Sequence, residues 1–325
     1  MNMEKSKEFI KYDQFLIRVK TLVKKRMGGG YFVDINHVTK NNSIELDGLI
    51  ILKKDEKITP NIYLNSYYEN YLSGESIEDI VDEIIKIYED TMEEGEREAL
   101  CIQYEFSEMK SCIVFRLVNF NKNTKLLNEI PHIHFLDLAI TFHCLVKDNE
   151  DGIGTIRITN EHIEHWNITL EELTEIARIN TPNLLPASIR SMNDVILDIL
   201  NKEMETQDLG NSSNDENEIE NMLNQMKQDT AHDMYVLSNT KGINGASCLL
   251  YPEVVKELAD ELNTDFYLLP SSIHEIILVK DNGQIDKNAL REMVLDVNDT
   301  QVADEEILSD SIYFYSRERE AITLL

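Results

Sequence analysis

The run FLDLAITFHCLV (135–146) alternates so regularly that it limits what the chain around it can become. Phe135, Asp137, Ala139, Thr141 and His143 fall on one side, and Leu136, Leu138, Ile140, Phe142 and Cys144 on the other. That is the period of two of an extended strand with one mixed and one apolar face. Such a strand needs neighbours for its backbone groups and a cover for its apolar face. Both are at hand, because SCIVFRLVN precedes it and GIGTIRIT follows. A helix is then expected from Thr169, with Glu172 at capping-box spacing, ended by Pro182 and Pro186, and another from Ser191.

The flanking segments repeat this mixture. The apolar positions Tyr12, Phe15, Leu16, Val19, Leu22 and Val23 predict a helix over about 6–26, stopped by Gly28, Gly29 and Gly30. YFVDINHV and IELDGLIIL, joined across Lys40–Ser43, carry a hairpin signature. PNIYLN adds a short strand, and Ser76 with Asp79 opens an amphipathic helix through Tyr88. Beyond residue 230 the order is MYVLSN, ASCLLY, a helix from Pro252, DFYLLP, HEIILV, a helix from Asp286, and SIYFYS. Hairpins mixed with helices, without strict alternation, predict an α+β fold: antiparallel or mixed sheets with helices packed on one face, in two lobes of related order. The stretch 202–230 gathers acids among Asn, Ser and Gln, and has the composition of a linker between 1–201 and 231–325.

Charge excludes some functions. Sixty acidic against 31 basic residues leave a net charge of −29, which repels phosphate backbones and argues against nucleic-acid binding. The basic excess of residues 1–26 suits a helix face docked on an acidic body. The four cysteines (Cys101, Cys112, Cys144, Cys248) form no CxxC pair and no zinc spacing, as in a reducing compartment. No secretory leader and no run of 18 apolar residues is present, so a cytoplasmic protein away from the membrane is expected, and no cofactor is predicted.

No motif identifies a reaction, but four groups of residues carry chemistry. Ser272, His274 and Glu275, between two apolar strands, are the residue types of a hydrolytic site, although no GxSxG elbow surrounds the serine. His132, His162 and His165 are metal-ligand candidates; the last two are three apart, close on a helix surface, yet within neither HExxH nor HxxEH. Tyr63, Tyr67, Tyr68 and Tyr71 suit an interface, and equally suit helix–sheet packing. Gly242-Ile243-Asn244-Gly245 is read as a turn between two strands rather than a phosphate cradle. Asp137 and His143 share a strand face, but six residues separate them by roughly 20 Å, too far for a direct catalytic hydrogen bond.

The blocks KNNSIELDGLIIL, PNIYLNSYYENYLSG, IPHIHFLDLAITFHCLV, TPNLLPASIRSM, LLPSSIHEIILV and NDTQVADEEILSDSIYFY occur in an order that resembles domain-of-unknown-function family 5688. These are uncharacterised bacterial proteins of gut Firmicutes, and the resemblance brings no catalytic residues to carry over. Function is therefore read from the residues themselves. They favour a non-catalytic protein that binds a macromolecular partner, with a hydrolase or metal-dependent enzyme as the alternative.

Overall fold

The computed structural model describes residues 9–54, 61–95, 105–149, 152–206 and 234–325. The chain divides into two compact units, 1–40 with 44–104, and 41–43 with 105–325. Both mix helices with antiparallel strands, so the protein is α+β.

In the first unit, α1 (Tyr12–Met27) ends at Gly28, which takes φ +80° while its N–H bonds Lys24 O at 3.2 Å. Only glycine enters that region without strain, which is why the triglycine stops the helix. β1 (Tyr31–Thr39) and β2 (Glu45–Lys53) pair along their whole length, from Tyr31 opposite Lys53 to Thr39 opposite Glu45. β3 (Asn61–Tyr63) adds to β2. α2 (Asn65–Leu72) and α3 (Ile77–Gly95) follow, the latter opened by Ser76, whose Oγ accepts the Asp79 N–H at 3.1 Å. Phe15, Val19 and Val23 of α1, Leu49 and Ile51 of β2, and Ile80, Val81 and Ile84 of α3 are all fully buried together. At about 1.5–3 kcal/mol for each large side chain removed from water, this stripe is what holds the helices on the sheet.

The second unit opens with α4 (Phe106–Met109) and β4 (Ile113–Asn119), then α5 (Thr124–Leu127), β5 (His132–Phe135), β6 (Leu138–Asn149) and β7 (Gly152–Arg157). β6 is the central strand. β4 flanks one side, while β5 and β7 share the other, pairing with successive halves of β6. Next come α6 (Asn160–Trp166), α7 (Leu170–Leu184), β8 (Ala187–Ser191) and α8 (Met192–Thr206). β9 (Met234–Asn239), α9 (Val254–Leu262), β10 (Phe266–Leu269), β11 (Ile276–Lys280), α10 (Lys287–Thr300), β12 (Tyr313–Ser316) and β13 (Ala321–Leu324) complete the unit. Its larger sheet runs β13-β12-β10-β11-β9-β8, antiparallel throughout. Leu290 and Val294 of α10 pack on Tyr267, Leu269, Val279 and Ile312. The free edge of β4 is covered by α7, where Thr181 Oγ1 accepts the Phe115 N–H at 3.0 Å. A covered edge cannot recruit a foreign strand.

Several expectations change here. The alternating run is two strands: Leu136 takes φ +56°, and Leu136-Asp137 turn β5 back onto β6. Asp137 therefore leaves the mixed face and accepts the Tyr313 hydroxyl and, at 2.5 Å, the Ser309 hydroxyl. Pro182 does not end α7 but sits in its last turn. ASCLLY is a 3₁₀ segment, Gly245–Leu250, so the Gly242–Gly245 turn leads from β9 into a helix rather than a second strand. Most of the expected 202–230 linker lies outside the described residues, as do 1–8 at the start of the first helix. The strands on either side of it, β8 and β9, pair with each other from Ala187 opposite Asn239 to Ser191 opposite Tyr235.

Candidate functional site

Ser272, His274 and Glu275 do come together, in the connection between β10 and β11. The segment runs beside residues 306–308: Ile273 N–H donates to Glu306 O at 2.9 Å and Leu308 N–H to Ser271 O at 2.9 Å. Gly245 lies against the back of this segment, since a Cβ there would fall 2.5 Å from His274 O and 2.1 Å from Ser238 Oγ. His274 Nδ1 accepts the Asn244 N–H at 3.2 Å, and its Nε2 meets Glu306 Oε1 at 3.1 Å. An Nδ1 that accepts carries no proton, so in the neutral ring the proton is on Nε2 and is donated to Glu306. The Ser272 hydroxyl accepts the His274 backbone N–H at 3.0 Å and bonds the Glu275 carboxyl. Burial raises the Glu275 pKa above the ordinary carboxylate range. The imidazole thus faces Asn244 and Glu306, and the serine faces Glu275; the serine–imidazole hydrogen bond of a hydrolytic triad is not made.

The metal-ligand candidates are divided between β5 and α6. His132 on β5 bonds Ile130 O through Nδ1 at 3.1 Å. His162 is the third residue of α6, and its Nδ1 accepts the Thr159 N–H at 3.0 Å, closing a capping box with imidazole in place of the usual carboxylate. His165 stands in the last turn of the same helix. Among the described residues, no three His, Cys, Asp or Glu side chains gather as a metal site. The tyrosines of α2 turn inward: Tyr67 is 9 % exposed, the rings of Tyr68 and Tyr71 lie 5.2 and 5.5 Å from that of Phe15 on α1, and just before α1 Tyr68 OH donates to Ile10 O at 3.0 Å while Tyr71 OH accepts the Ile10 N–H at 3.1 Å. Tyr63 carries Lys40 over its ring at 4.4 Å.

A different constellation lies on the mixed face of the smaller sheet. Residues directly opposite in an antiparallel ladder share a face. Arg116 of β4 opposes Thr141 of β6, which opposes His132 of β5; His143 of β6 opposes Arg157 of β7. Arg116 reaches across β6, and its Nη2 donates to Thr155 Oγ1 on β7 at 2.8 Å. His143 lies beneath, 7 % exposed, with Nε2 3.2 Å from Thr141 Oγ1. Desolvation, with Arg116 and Arg157 as further causes, holds its pKa well below the usual histidine value, so the ring is neutral. Desolvation, aided by Arg157, also brings Arg116 down to about 10, which leaves the guanidinium charged at neutral pH. Other arginines differ: Arg26 pairs with Asp82, Arg178 with Glu175, Arg190 with Asp198 and Arg317 with Asp260, while Arg18, Arg291 and Arg319, which make no ion pair among the described residues, are exposed to water. Among the described residues, Arg116 and Arg157 make no ion pair; the exposed Glu129 acts on Arg157 only at a distance.

Fold and face together define an α+β protein with a partly desolvated pair of guanidiniums on the mixed face of a four-stranded antiparallel sheet. The chain belongs to the family of unknown function DUF5688, whose model matches residues 12–317. No curated protein and no solved structure matches it. No helix among the described residues is long and apolar enough to cross a membrane.

Proposed function

We propose that the protein works by binding rather than by catalysis, and that its partner presents a doubly charged oxyanion of the phosphoryl kind to the face bearing Arg116 and Arg157. The observation that carries this reading is the unpaired state of those two guanidiniums. Each keeps its charge, each has lost water, and each repels the other. Taking a charge out of water costs several kcal/mol unless a counter-charge returns it. Guanidinium forks match phosphoryl oxygens in geometry, and a dianion supplies the two charges that a single carboxylate does not. Thr141, Thr155 and the neutral His143 complete a set of polar atoms that carries no negative charge of its own.

Inorganic phosphate tests the anchor. It is expected to raise the melting temperature of the wild-type chain in a saturable way, with sulfate acting similarly and acetate or succinate not. Arg116→Gln or Arg157→Gln is expected to weaken the response at least tenfold. If phosphate leaves the melting temperature unchanged, or stabilises the variants equally, the reading is wrong. Capture of partners from a host lysate on wild-type and Arg116→Gln protein, compared side by side, then identifies what carries the anion.

The hydrolase alternative retains one supporting observation, the convergence of Ser272, His274 and Glu275 with Glu306. Ester hydrolysis by the wild-type chain that disappears in a folded His274→Ala variant would establish it over the binding reading.

A further inference from the structure

Asparagine followed by glycine occurs twice in the chain, at Asn244-Gly245 and Asn282-Gly283, and the structure holds the two pairs in opposite ways. An asparagine side chain is open to attack by the main-chain nitrogen that follows it, and glycine offers that nitrogen with no side chain in the way. The attack then depends on how freely the peptide unit turns and on which groups touch the reacting atoms.

Asn282 and Gly283 stand exposed in the turn between β11 and α10, with Gly283 at φ +74° and open space where a Cβ would be. Two hydrogen bonds bear on the reacting atoms. The Gly283 N–H donates to Asp281 Oδ1 at 2.9 Å, so a carboxyl oxygen lies on the proton that the nucleophile must shed. The Gln284 N–H donates to Asn282 Oδ1 at 2.9 Å, so the oxygen that gains charge when the amide carbon is attacked already has its donor. A side chain that bonds the backbone two residues on is ordinary turn chemistry. Two such bonds in succession put a base on the nucleophile and a donor on the electrophile. The other pair is held shut. Asn244 takes φ 54° and ψ 28°, its N–H donates to His274 Nδ1 at 3.2 Å, its carbonyl accepts the Ser247 N–H at 3.3 Å, and Gly245 packs against His274 O and Ser238 Oγ. That peptide unit does not turn without breaking these contacts.

We propose that Asn282-Gly283 is a self-modifying site that converts asparagine to aspartate and isoaspartate, with water as its co-reactant. The Gly283 nitrogen attacks Asn282 Cγ; the nitrogen–carbon bond forms and the Gly283 proton passes to Asp281. The Cγ–Nδ2 bond then breaks, and the departing nitrogen takes that proton and leaves as ammonia, closing a five-membered imide. Water adds to either imide carbonyl and the ring carbon–nitrogen bond there opens, the nitrogen taking up a proton from the water. Opening at Cγ gives aspartate. Opening at the main-chain carbonyl gives isoaspartate, which routes the chain between β11 and α10 through one extra carbon. The sum is amide plus water to acid plus ammonia, with no change of oxidation state. Each product adds a negative charge to a turn that already holds Asp281 and Asp286.

The test incubates the full chain at neutral pH over days and follows tryptic peptides 281–287 and 242–256. Mass spectrometry reads the replacement of NH2 by OH, and chromatography separates the aspartyl and isoaspartyl isomers. A parallel sample is kept unfolded in guanidinium chloride, where both pairs meet the same solvent. In the folded chain Asn282 is expected to convert at least tenfold faster than Asn244, and at least threefold faster than Asn282 itself when unfolded. Asp281→Ser keeps a neutral acceptor for the Gly283 N–H and is expected to bring that folded-to-unfolded ratio down to about one. A folded rate at Asn282 equal to or below its unfolded rate, an Asn244 rate that matches it, or an Asp281→Ser chain that keeps the acceleration overturns the proposal. Should the variant fail to fold, the folded-to-unfolded ratio of the wild-type chain decides alone.

Discussion

The β10–β11 connection and the Arg116–Arg157 face hold similar side chains in opposite electrostatic conditions. In the connection, the imidazole of His274 has a partner on each nitrogen, and the hydroxyl of Ser272 lies between a backbone N–H and a carboxyl. On the sheet face, two guanidiniums bring ten N–H donors, and one hydrogen bond, Arg116 to Thr155, is made among the described residues. The first region has residue types that read as chemistry, and each of these polar groups meets a partner close by. The second has residue types that read as surface and leaves their charge unanswered. The two regions differ in their state of pairing, which residue identity alone does not carry.

The largest expected effect bears on the scaffold side. Gly245→Ala would drive a Cβ into His274 O and Asn239 N, backbone atoms at 2.5 and 2.7 Å that cannot rotate away. A loss of about 3 kcal/mol in stability by denaturant unfolding is expected. A loss under about 0.5 kcal/mol would mean that the connection is loosely held and that the contrast is false. His274→Ala comes next. It leaves the Asn244 N–H without its acceptor and Glu306 without its donor, at a cost of about 2 kcal/mol by the same measurement.

Arg116→Met should move stability the other way. Replacing a desolvated charge that has no counter-ion by an apolar side chain of similar length is expected to stabilise the ligand-free protein by about 1 kcal/mol while abolishing its response to phosphate. Opposite signs for stability and binding are the mark of a ligand site. Loss of both together would mark Arg116 as a structural residue and bring the two regions onto the same footing.

The sequence carried much of the fold and little of this contrast. Strict alternation in 138–145, the triglycine after α1, and the Thr169–Glu172 and Ser76–Asp79 caps are local signals, and each corresponds to a local structure that forms. The break at Leu136-Asp137 is marked by a lone Asp without Gly, Pro or Asn beside it, too weak a signal to overrule the alternation, and only pairing with β6 reveals the turn. Arg116 and Arg157 each stand as the one basic residue in an apolar run, which hints at a special role, but their meeting depends on a register that links positions 41 apart through a third strand. The same holds for Glu306, which reaches His274 from 32 positions away. Non-local pairing decides which charges are answered, and periodicity reads only along the chain.

The smallest effect is a dependence on pH at Glu275. Its folded-state pKa is raised, first by burial and partly by Glu306, against the lowering influences of His274 and Ser272. For an acid raised on folding, the folded state binds the proton more tightly than the unfolded chain does. Its contribution to stability is therefore fully present below the ordinary glutamate pKa and is lost as the pH rises through the higher folded value. Glu275→Gln keeps an acceptor for Ser272 and removes the titration. The variant is expected to gain melting temperature over wild type at pH 7 and to converge with it as the pH falls below the ordinary glutamate pKa and the carboxyl takes up its proton. A wild-type advantage at pH 7 would mean that the ionised carboxylate is positively required at this junction, and would count for the connection, against the arginine face, as the working site.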